Sequence, residues 1–214
     1  MPTTSMMRID ALKNAPDRAG RYWVTFSDGT KLGLYRQTVE DFGLYPGKEL
    51  DEQEFARLGE EAGKMSAKMR AVRIVSASSV SKRDLQQRLV RKGEDPEQAR
   101  AAVEWMSDLH LVDDRATAEQ VVRSCIYKGY GLQRAKQALY EKQIPKAYWD
   151  EALEDYPDQS EKIQEFLRAR LDTDSDEKQK KRAIDALIRR GHSYGTIKKA
   201  MDALSFDSED VFED

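Results

Sequence analysis

Two hydrophobic periodicities divide the chain. Between Arg21 and Val39, apolar and polar residues alternate on both sides of Asp28-Gly29. This pattern predicts a β-hairpin, because strands turn alternate side chains to opposite faces and Asp-Gly tolerates the tight turn. Beyond Ala56, apolar residues recur at helical spacing instead, which predicts amphipathic helices. The sequence therefore indicates a mainly α-helical chain with a small N-terminal β-hairpin element.

A turn and a helix cap are predicted where the two patterns meet. Leu44, Gly47 and Leu50 have the spacing of a turn, and Asp51 directly precedes a helical pattern. Aspartate is a preferred N-cap because its carboxylate accepts hydrogen bonds from the first free amides of a helix. A helix is therefore expected to begin near Glu52.

The helical part of the chain repeats three times, with offsets of 50 and then 48 positions. The recurrent positions are Leu85, Leu89 and Gly93 in the first copy, Ala135, Leu139 and Gln143 in the second, and Ala183, Leu187 and Gly191 in the third. Another amphipathic segment precedes each copy, so the repeated unit is predicted to contain three helices. Short single helices are marginal in water, so each helix needs the apolar face of its neighbours.

Repeats that contact only their neighbours form an elongated array. A charged fraction of 35% fits such an array, because an average domain has about 25% and the array exposes more surface. The predicted organisation is a β-hairpin extension at residues 1–55, helical repeats at 56–112, 113–157 and 158–204, and a disordered acidic tail at 205–214.

The net charge of −3 conceals blocks of alternating sign. The blocks carry +8 at residues 64–92, −6 at 93–114, +5 at 115–149, −8 at 150–177, +7 at 178–199 and −6 at 200–214. If the repeats stack in register, like charges form stripes suited to a polymer that carries both signs. The alternative is that the blocks are solvated helix faces, or attract one another within the fold.

Several classes of protein lack support in the sequence. Cys125 is the single cysteine, so no intrachain disulfide can form. No signal-peptide-like run opens the sequence and no stretch approaches the length of a membrane span, so a cytoplasmic protein without membrane contact is expected. The sequence lacks GxxxxGK[ST], GxGxxG, HExxH and GxSxG strings, so a non-catalytic protein without a cofactor is expected.

The candidate binding residues are cations that lie off the apolar positions of the first two repeats, together with one tyrosine. Such cations can contact phosphate or an acidic protein surface. The central repeat is expected to supply the main surface, because it has a neighbour on each side. Tyr130 stacks on a base or a partner, or packs at a helix junction; packing is favoured. The candidates are Lys82, Arg83, Arg88, Arg91, Lys92, Arg123, Lys128, Tyr130, Arg134 and Lys142.

Five other residues that could carry chemistry are not predicted to form a metal or catalytic site. Asp113 and Asp114 could form a metal or catalytic pair, but they directly precede a helical pattern, so helix capping is favoured. His110 and His192 have no cysteine or carboxylate at ligand spacing, so no metal site is predicted. Cys125 lies on an apolar stripe and is expected to be a buried thiol.

The chain resembles the bacterial RecX family, the regulators of the RecA recombinase, over nearly its whole length. The resemblance rests on the order and spacing of short strings, none of which is diagnostic by itself. They are SKRDLQQRLVRKG at 81–93, LVDD at 111–114, VVRS at 121–124, KGYG at 128–131, KQIP at 142–145 and RRG at 189–191. Gln143 departs from the family pattern, which has glycine there, so the turn at this position is expected to close differently.

The resemblance implies a modulator that lodges in the helical groove of the RecA filament on single-stranded DNA. It implies mainly inhibition of the recombinase, in DNA repair, recombination and the SOS response. The expected partner is the RecA filament, with single-stranded or double-stranded DNA as a further contact, and the protein is expected to be a monomer. The alternative function is a helical module that binds DNA or RNA directly and has no recombinase target.

Overall fold

The computed structural model describes residues 6–172 and 174–209, except for the side chains of 205–209. It divides into two compact units, residues 1–112 and 113–214. The first unit contains a small sheet and one group of helices, and the second contains two further groups.

A four-stranded antiparallel sheet opens the first unit, in the order β3-β2-β1-β4. Its strands are β1 (Met7–Leu12), β2 (Arg21–Phe26), β3 (Lys31–Tyr35) and β4 (Glu49–Leu50). The predicted hairpin is present as β2 and β3, but the strand ends at Tyr35 and not at Val39. Strands β1 and β4 were not predicted. A shift in register between Ile9 and Ala11 interrupts the alternation that would have revealed β1.

One face of the sheet packs on helices to form the first core. Helix α1 (Arg36–Asp41) follows β3 directly, and helix α2 (Glu52–Ala77) begins after β4. The edge of Phe26 packs against the ring of Phe55 with the centroids 5.0 Å apart. The fully or nearly fully buried members of this core are Ile9, Val24, Phe26, Leu34, Leu44, Leu50 and Leu58.

Helix α2 belongs to two cores. The side chain of Asp51 accepts a hydrogen bond from the Glu54 amide, and the Glu54 side chain accepts one from the Asp51 amide, so the predicted cap is confirmed as a capping box. Leu58 near the start of α2 packs with the sheet, whereas Ala67 and Ala71 pack in the next helical core. One 26-residue helix therefore links the N-terminal sheet to the first repeat.

Helices α3 (Lys82–Arg91) and α4 (Pro96–Asp108) complete the first repeat. Ser81 caps α3 and Asp95 caps α4, where proline stands in the first turn. The core of this repeat contains Ala67, Ala71, Val80, Leu85, Leu89, Ala99, Ala102, Val103, Met106 and Val112.

The second unit contains the two remaining repeats. Its helices are α5 (Asp114–Tyr127), α6 (Leu132–Glu141), α7 (Trp149–Leu153) after a 3-10 turn at Lys146–Tyr148, α8 (Ser160–Arg168), α9 (Glu177–Arg189) and α10 (Tyr194–Glu209). Separate cores lie within α5–α7 and within α8–α10. Three three-helix repeats are thus confirmed. Helix α10 extends to Glu209, into the segment predicted to be disordered, and residues 210–214 lie outside the described part.

The expectation that Gln143 closes its turn differently is wrong. Gln143 has a φ of 56°, in the same left-handed region as Gly93 at 91° and Gly191 at 88°. The Ile144 amide donates to the Leu139 carbonyl at 3.0 Å, as equivalent amides do in the other two repeats. The family turn therefore forms without glycine, and a side chain in this conformation costs about 1 kcal/mol.

Candidate interaction surface

The exposed side of α3 carries two cations that have no ion pair among the described residues. Arg83 and Arg91 are exposed and lie two turns apart on the same side of the helix. With Gln86, Gln87 and Val90 they line an open groove of about 420 Å³. These two guanidinium groups remain available to an anionic partner.

Arg88 is not available in this way, so the expectation that it is free to meet a partner is wrong. Its Nη2 lies 2.9 Å from Asp84 Oδ2 and its Nε lies 3.0 Å from Asp84 Oδ1. Asp84 is buried, and its amide donates to the capping Ser81 hydroxyl. A bidentate pair to a nearly buried carboxylate gives Arg88 a structural role at the start of α3. Lys82 and Lys92, at the ends of α3, are exposed.

The cations predicted in the central repeat differ in their surroundings. Arg123 is exposed on α5 and forms a 3.6 Å ion pair with Glu119, a weak interaction in water. Lys128 is exposed in the turn before α6, and Lys142 is half-buried at the end of α6. Arg134 pairs with Glu141 at 3.2 Å. The structure does not gather these cations into one unpaired patch.

Tyr130 lies at a junction between the second and third repeats, as the packing interpretation predicts. The guanidinium carbons of Arg190 and Arg134 lie 5.2 and 5.9 Å from the centroid of its ring. Its carbonyl accepts a 2.6 Å hydrogen bond from the Tyr156 hydroxyl, and burial raises the pKa of Tyr156 to about 12. The ring of Tyr130 is therefore already engaged by side chains of its own chain.

The same junction brings two backbone turns into direct contact. The Gly131 amide donates to the Arg190 carbonyl at 2.8 Å, and the Gln133 amide donates to the Gly191 carbonyl at 3.3 Å. A Cβ on Gly131 would lie 2.1 Å from the Gly191 oxygen, so no side chain fits. The contact between these two glycines was not predicted from the sequence. The signal available there was the recurrence of glycine in KGYG and RRG.

His192 is buried in this junction. Its Nε2 donates to the Gly129 carbonyl at 3.0 Å. Burial lowers the pKa of His192, and the nearby Arg190 charge lowers it further, while the hydrogen bond to Gly129 opposes the shift. The lowered pKa disfavours the charged imidazole, and the hydrogen bond of His192 to Gly129 contributes to the junction between the repeats.

Opposite charge blocks meet within the fold at several places. Arg70 on α2 forms an ion pair with the buried Glu94, which also accepts a hydrogen bond from Ser66. Arg115 of the basic block 115–149 pairs with Glu151 of the next acidic block, whereas Arg100 pairs with two glutamates of its own block and helix. Part of the alternating charge is thus paired inside the protein, as the alternative interpretation of the charge blocks predicts, whereas Arg83 and Arg91 form no ion pair among the described residues.

Asp113 and Cys125 have structural roles. Asp113 accepts hydrogen bonds from the amides of Arg115 and Ala116 at 2.8 and 3.1 Å, which confirms the cap. Cys125 is buried, and burial raises the pKa of its thiol. Within residues 6–172 and 174–209, no three His, Cys, Asp or Glu side chains are grouped to hold a metal ion. Over the same range, no helix has both the length and the apolar character needed to cross a membrane.

Comparison with known proteins places the chain in a family. Residues 113–153 match the model of the second three-helix domain of RecX. The regulatory protein RecX of Halorhodospira halophila is 30% identical over 155 residues, which cover 70% of this chain and 96% of that protein. The chain belongs to the RecX family. The regulatory protein RecX of Clostridioides difficile, another RecX protein, is 24% identical over 95% of this chain and 98% of its own length.

The RecX fold extends over nearly the whole chain. A crystal structure of regulatory protein RecX superposes with a TM-score of 0.60 and covers 92% of this chain and 99% of its own, at 23% identity. In the chain described here, several of the short sequence strings that carry the family resemblance have structural roles. LVDD supplies the Asp113 cap, KQIP forms the left-handed turn at Gln143, and KGYG and RRG meet at Gly131 and Gly191.

Proposed function

We propose that this protein binds the filament that RecA forms on single-stranded DNA and restrains recombinase activity in DNA repair, recombination and the SOS response. The observation that carries the proposal is membership of the RecX family, whose relatives are named regulatory proteins. The protein acts on the filament as a cytoplasmic monomer and catalyses no reaction itself.

The distribution of charge supports a filament as the partner. Each repeat has exposed cations that form no ion pair among the described residues. They include Arg83 and Arg91 on α3, Lys136 on α6 and Arg189 on α9. A protein–DNA filament offers both phosphates and acidic side chains to such cations. Because the filament repeats, several weak contacts made by successive repeats add to a high overall affinity.

The test measures ATP hydrolysis by RecA on single-stranded DNA while the purified protein is added at substoichiometric amounts. We expect hydrolysis to fall, and the double variant Arg83→Glu, Arg91→Glu to need about tenfold more protein for the same effect. The control variant is Lys31→Glu, Arg36→Glu, which reverses two exposed charges beside the N-terminal sheet. No inhibition by the parent protein, even in excess over RecA, would refute the proposal.

A second function, direct binding of DNA or RNA without a recombinase, is favoured by the same unpaired Arg83 and Arg91. It makes a different quantitative prediction. Binding to naked strands should weaken log-linearly with salt concentration, since each cation that meets a phosphate releases a counterion. Equal affinity for naked single-stranded DNA and for the RecA filament would favour this second function.

A further inference from the structure

One apolar position is exposed in all three repeats. Val90 on α3, Tyr140 on α6 and Ile188 on α9 have 38%, 72% and 47% of their surface exposed. Each directly follows the fully buried leucine of its helix and stands two residues before the helix C-cap. The three residues are therefore structurally equivalent, at offsets of 50 and 48 positions.

Other exposed apolar residues of the repeats do not recur in this way. Leu132 at the start of α6 corresponds to Lys82 and Lys180. Tyr194 at the start of α10 corresponds to Lys146, and Leu109 corresponds to Gln159. Single exposed apolar side chains are common on protein surfaces and do not by themselves indicate a binding site. An exposed apolar residue at the same place in every repeat is a different observation and needs a cause.

Helix stability does not supply that cause. Val90 and Ile188 are β-branched, and such side chains lose rotamer freedom in a helix, so a long polar residue would serve an exposed helical position better. The exposed 38% of Val90 and 47% of Ile188 gain no burial energy while they face water. Retaining them at this position is favourable when a partner covers them, because burial of apolar surface then contributes to binding.

The surroundings of these residues indicate the chemistry of the partner. Val90 lies in the groove between Arg83 and Arg91, Lys136 stands one helical turn before Tyr140, and Arg189 follows Ile188. Each apolar residue thus has an exposed cation next to it in the chain or within about one helical turn. Valine and isoleucine have no π-face on which a base could stack. An apolar centre with a basic rim is complementary to a protein surface with an acidic rim around an apolar pocket.

We propose that Val90, Tyr140 and Ile188 are the apolar anchors of contacts with a repeating protein surface of that kind. The inference rests on the proposed function and makes it more specific: this surface belongs to the RecA subunits of the filament, and not to its DNA. Three equivalent anchors suit a partner built from identical subunits. Apolar anchors near the centre of a contact carry most of its affinity, and the cations around them set orientation and partner choice.

The test replaces the three anchors together: Val90→Gln, Tyr140→Gln, Ile188→Gln. Glutamine is a good helix former, so helix content measured by circular dichroism should not fall. We expect affinity for the RecA filament to drop by about 100-fold, while affinity for naked single-stranded DNA stays within about threefold of the parent. The matched control removes three exposed apolar residues outside this position, namely Leu109→Gln, Leu132→Gln and Tyr194→Gln. Its filament affinity should remain near that of the parent.

The outcomes separate the two proposals. If the parent protein does not bind the filament, the proposed function fails and the anchors fail with it. If the parent binds and the anchor variant binds equally well, or no worse than the control variant, the anchor proposal alone is wrong. If the anchor variant loses naked-strand binding as strongly as filament binding, these residues contact nucleic acid, which also overturns the proposal.

Discussion

Replacing Gly131 by alanine is expected to force the second and third repeats apart. Gly131 has an ordinary φ of −75°, so alanine can adopt its backbone conformation. The obstacle is the neighbouring backbone, because the new Cβ would lie 2.1 Å from the Gly191 oxygen and 2.6 Å from the His192 nitrogen. Backbone atoms cannot move aside as a flexible side chain can, so the two turns must separate.

The size of the effect follows from that separation. Ordinary contact with a Cβ begins near 3.4 Å, so the turns must part by more than 1 Å. This would stretch the 2.8 Å bond from the Gly131 amide to the Arg190 carbonyl beyond hydrogen-bonding distance, together with the bonds made by Gln133 and His192. Each lost hydrogen bond costs about 1 kcal/mol, so the junction is expected to weaken by about 3 kcal/mol.

Two other glycine substitutions separate contact from backbone conformation. Gly191→Ala places alanine at a φ of 88° and brings its Cβ 2.3 Å from the Arg134 nitrogen. Gly93→Ala places alanine at the equivalent turn of the first repeat, with a φ of 91° and nothing within 4 Å. Gly93→Ala should cost about 1 kcal/mol from conformation, and Gly191→Ala should cost that amount plus the loss of the junction.

Native-state hydrogen exchange measures the opening free energy of the junction directly. The informative amides are those of Gly131 and Gln133, because they donate across the junction. In the Gly131→Ala variant we expect the remaining protected amides of this turn to exchange about 100-fold faster than in the parent. In Gly93→Ala they should exchange at the parent rate. Parent-like exchange in Gly131→Ala would show that the two backbones do not approach this closely.

Three further predictions concern single residues. Gln143→Gly should raise the free energy of unfolding of the second unit by about 1 kcal/mol, because it relieves a left-handed side chain; urea unfolding measures it. Arg70→Ala should destabilise the first unit by about 3 kcal/mol, since it leaves the Glu94 carboxylate buried without its partner. The folded state lowers the pKa of His192, so its contribution to stability is complete above the unfolded value near 6.5 and decreases below it. Unfolding of His192→Gln should therefore depend less on pH between 5 and 7, and the exposed His110 is the control for this substitution.

Each of these predictions has a clear contrary result. An unfolding free energy of Gln143→Gly below that of the parent would show that the side chain contributes more than its conformation costs. If Arg70→Ala were as stable as the parent, Glu94 would not be a buried charge that depends on this arginine. If His110→Gln changed the pH dependence as much as His192→Gln, burial in the junction would not explain it.

Local sequence patterns were enough to predict the helices and one hairpin, because hydrophobic periodicity and helix caps depend on residues that are close together in the chain. Leu89, Leu139 and Leu187 mark the buried side of equivalent helices and are all buried. Strands β1 and β4 were not predicted, and each omission has a physical reason. A bulge disrupts the alternation of β1, and β4 has two residues that pair only because β1 lies beside them. Sheet pairing between distant segments leaves little local signal.

The candidate surface was predictable in part. The pair between Asp84 and Arg88 has i, i+4 spacing on a predicted helix and could have been recognised from the sequence. The partners of Glu94 and Gly131 could not, since Arg70 and Arg190 are 24 and 59 positions away. The charge blocks in the sequence therefore suggest more unpaired cations than the structure has, because tertiary contacts decide which cations form ion pairs.

The most direct test of the proposed function compares the affinity of this protein for labelled single-stranded DNA with and without assembled RecA, at the same salt concentration. Fluorescence anisotropy or sedimentation can report both affinities. We expect the protein to bind the RecA-coated strand at least about tenfold more tightly than the naked strand. Equal binding to both strands, or a preference for the naked one, would contradict it.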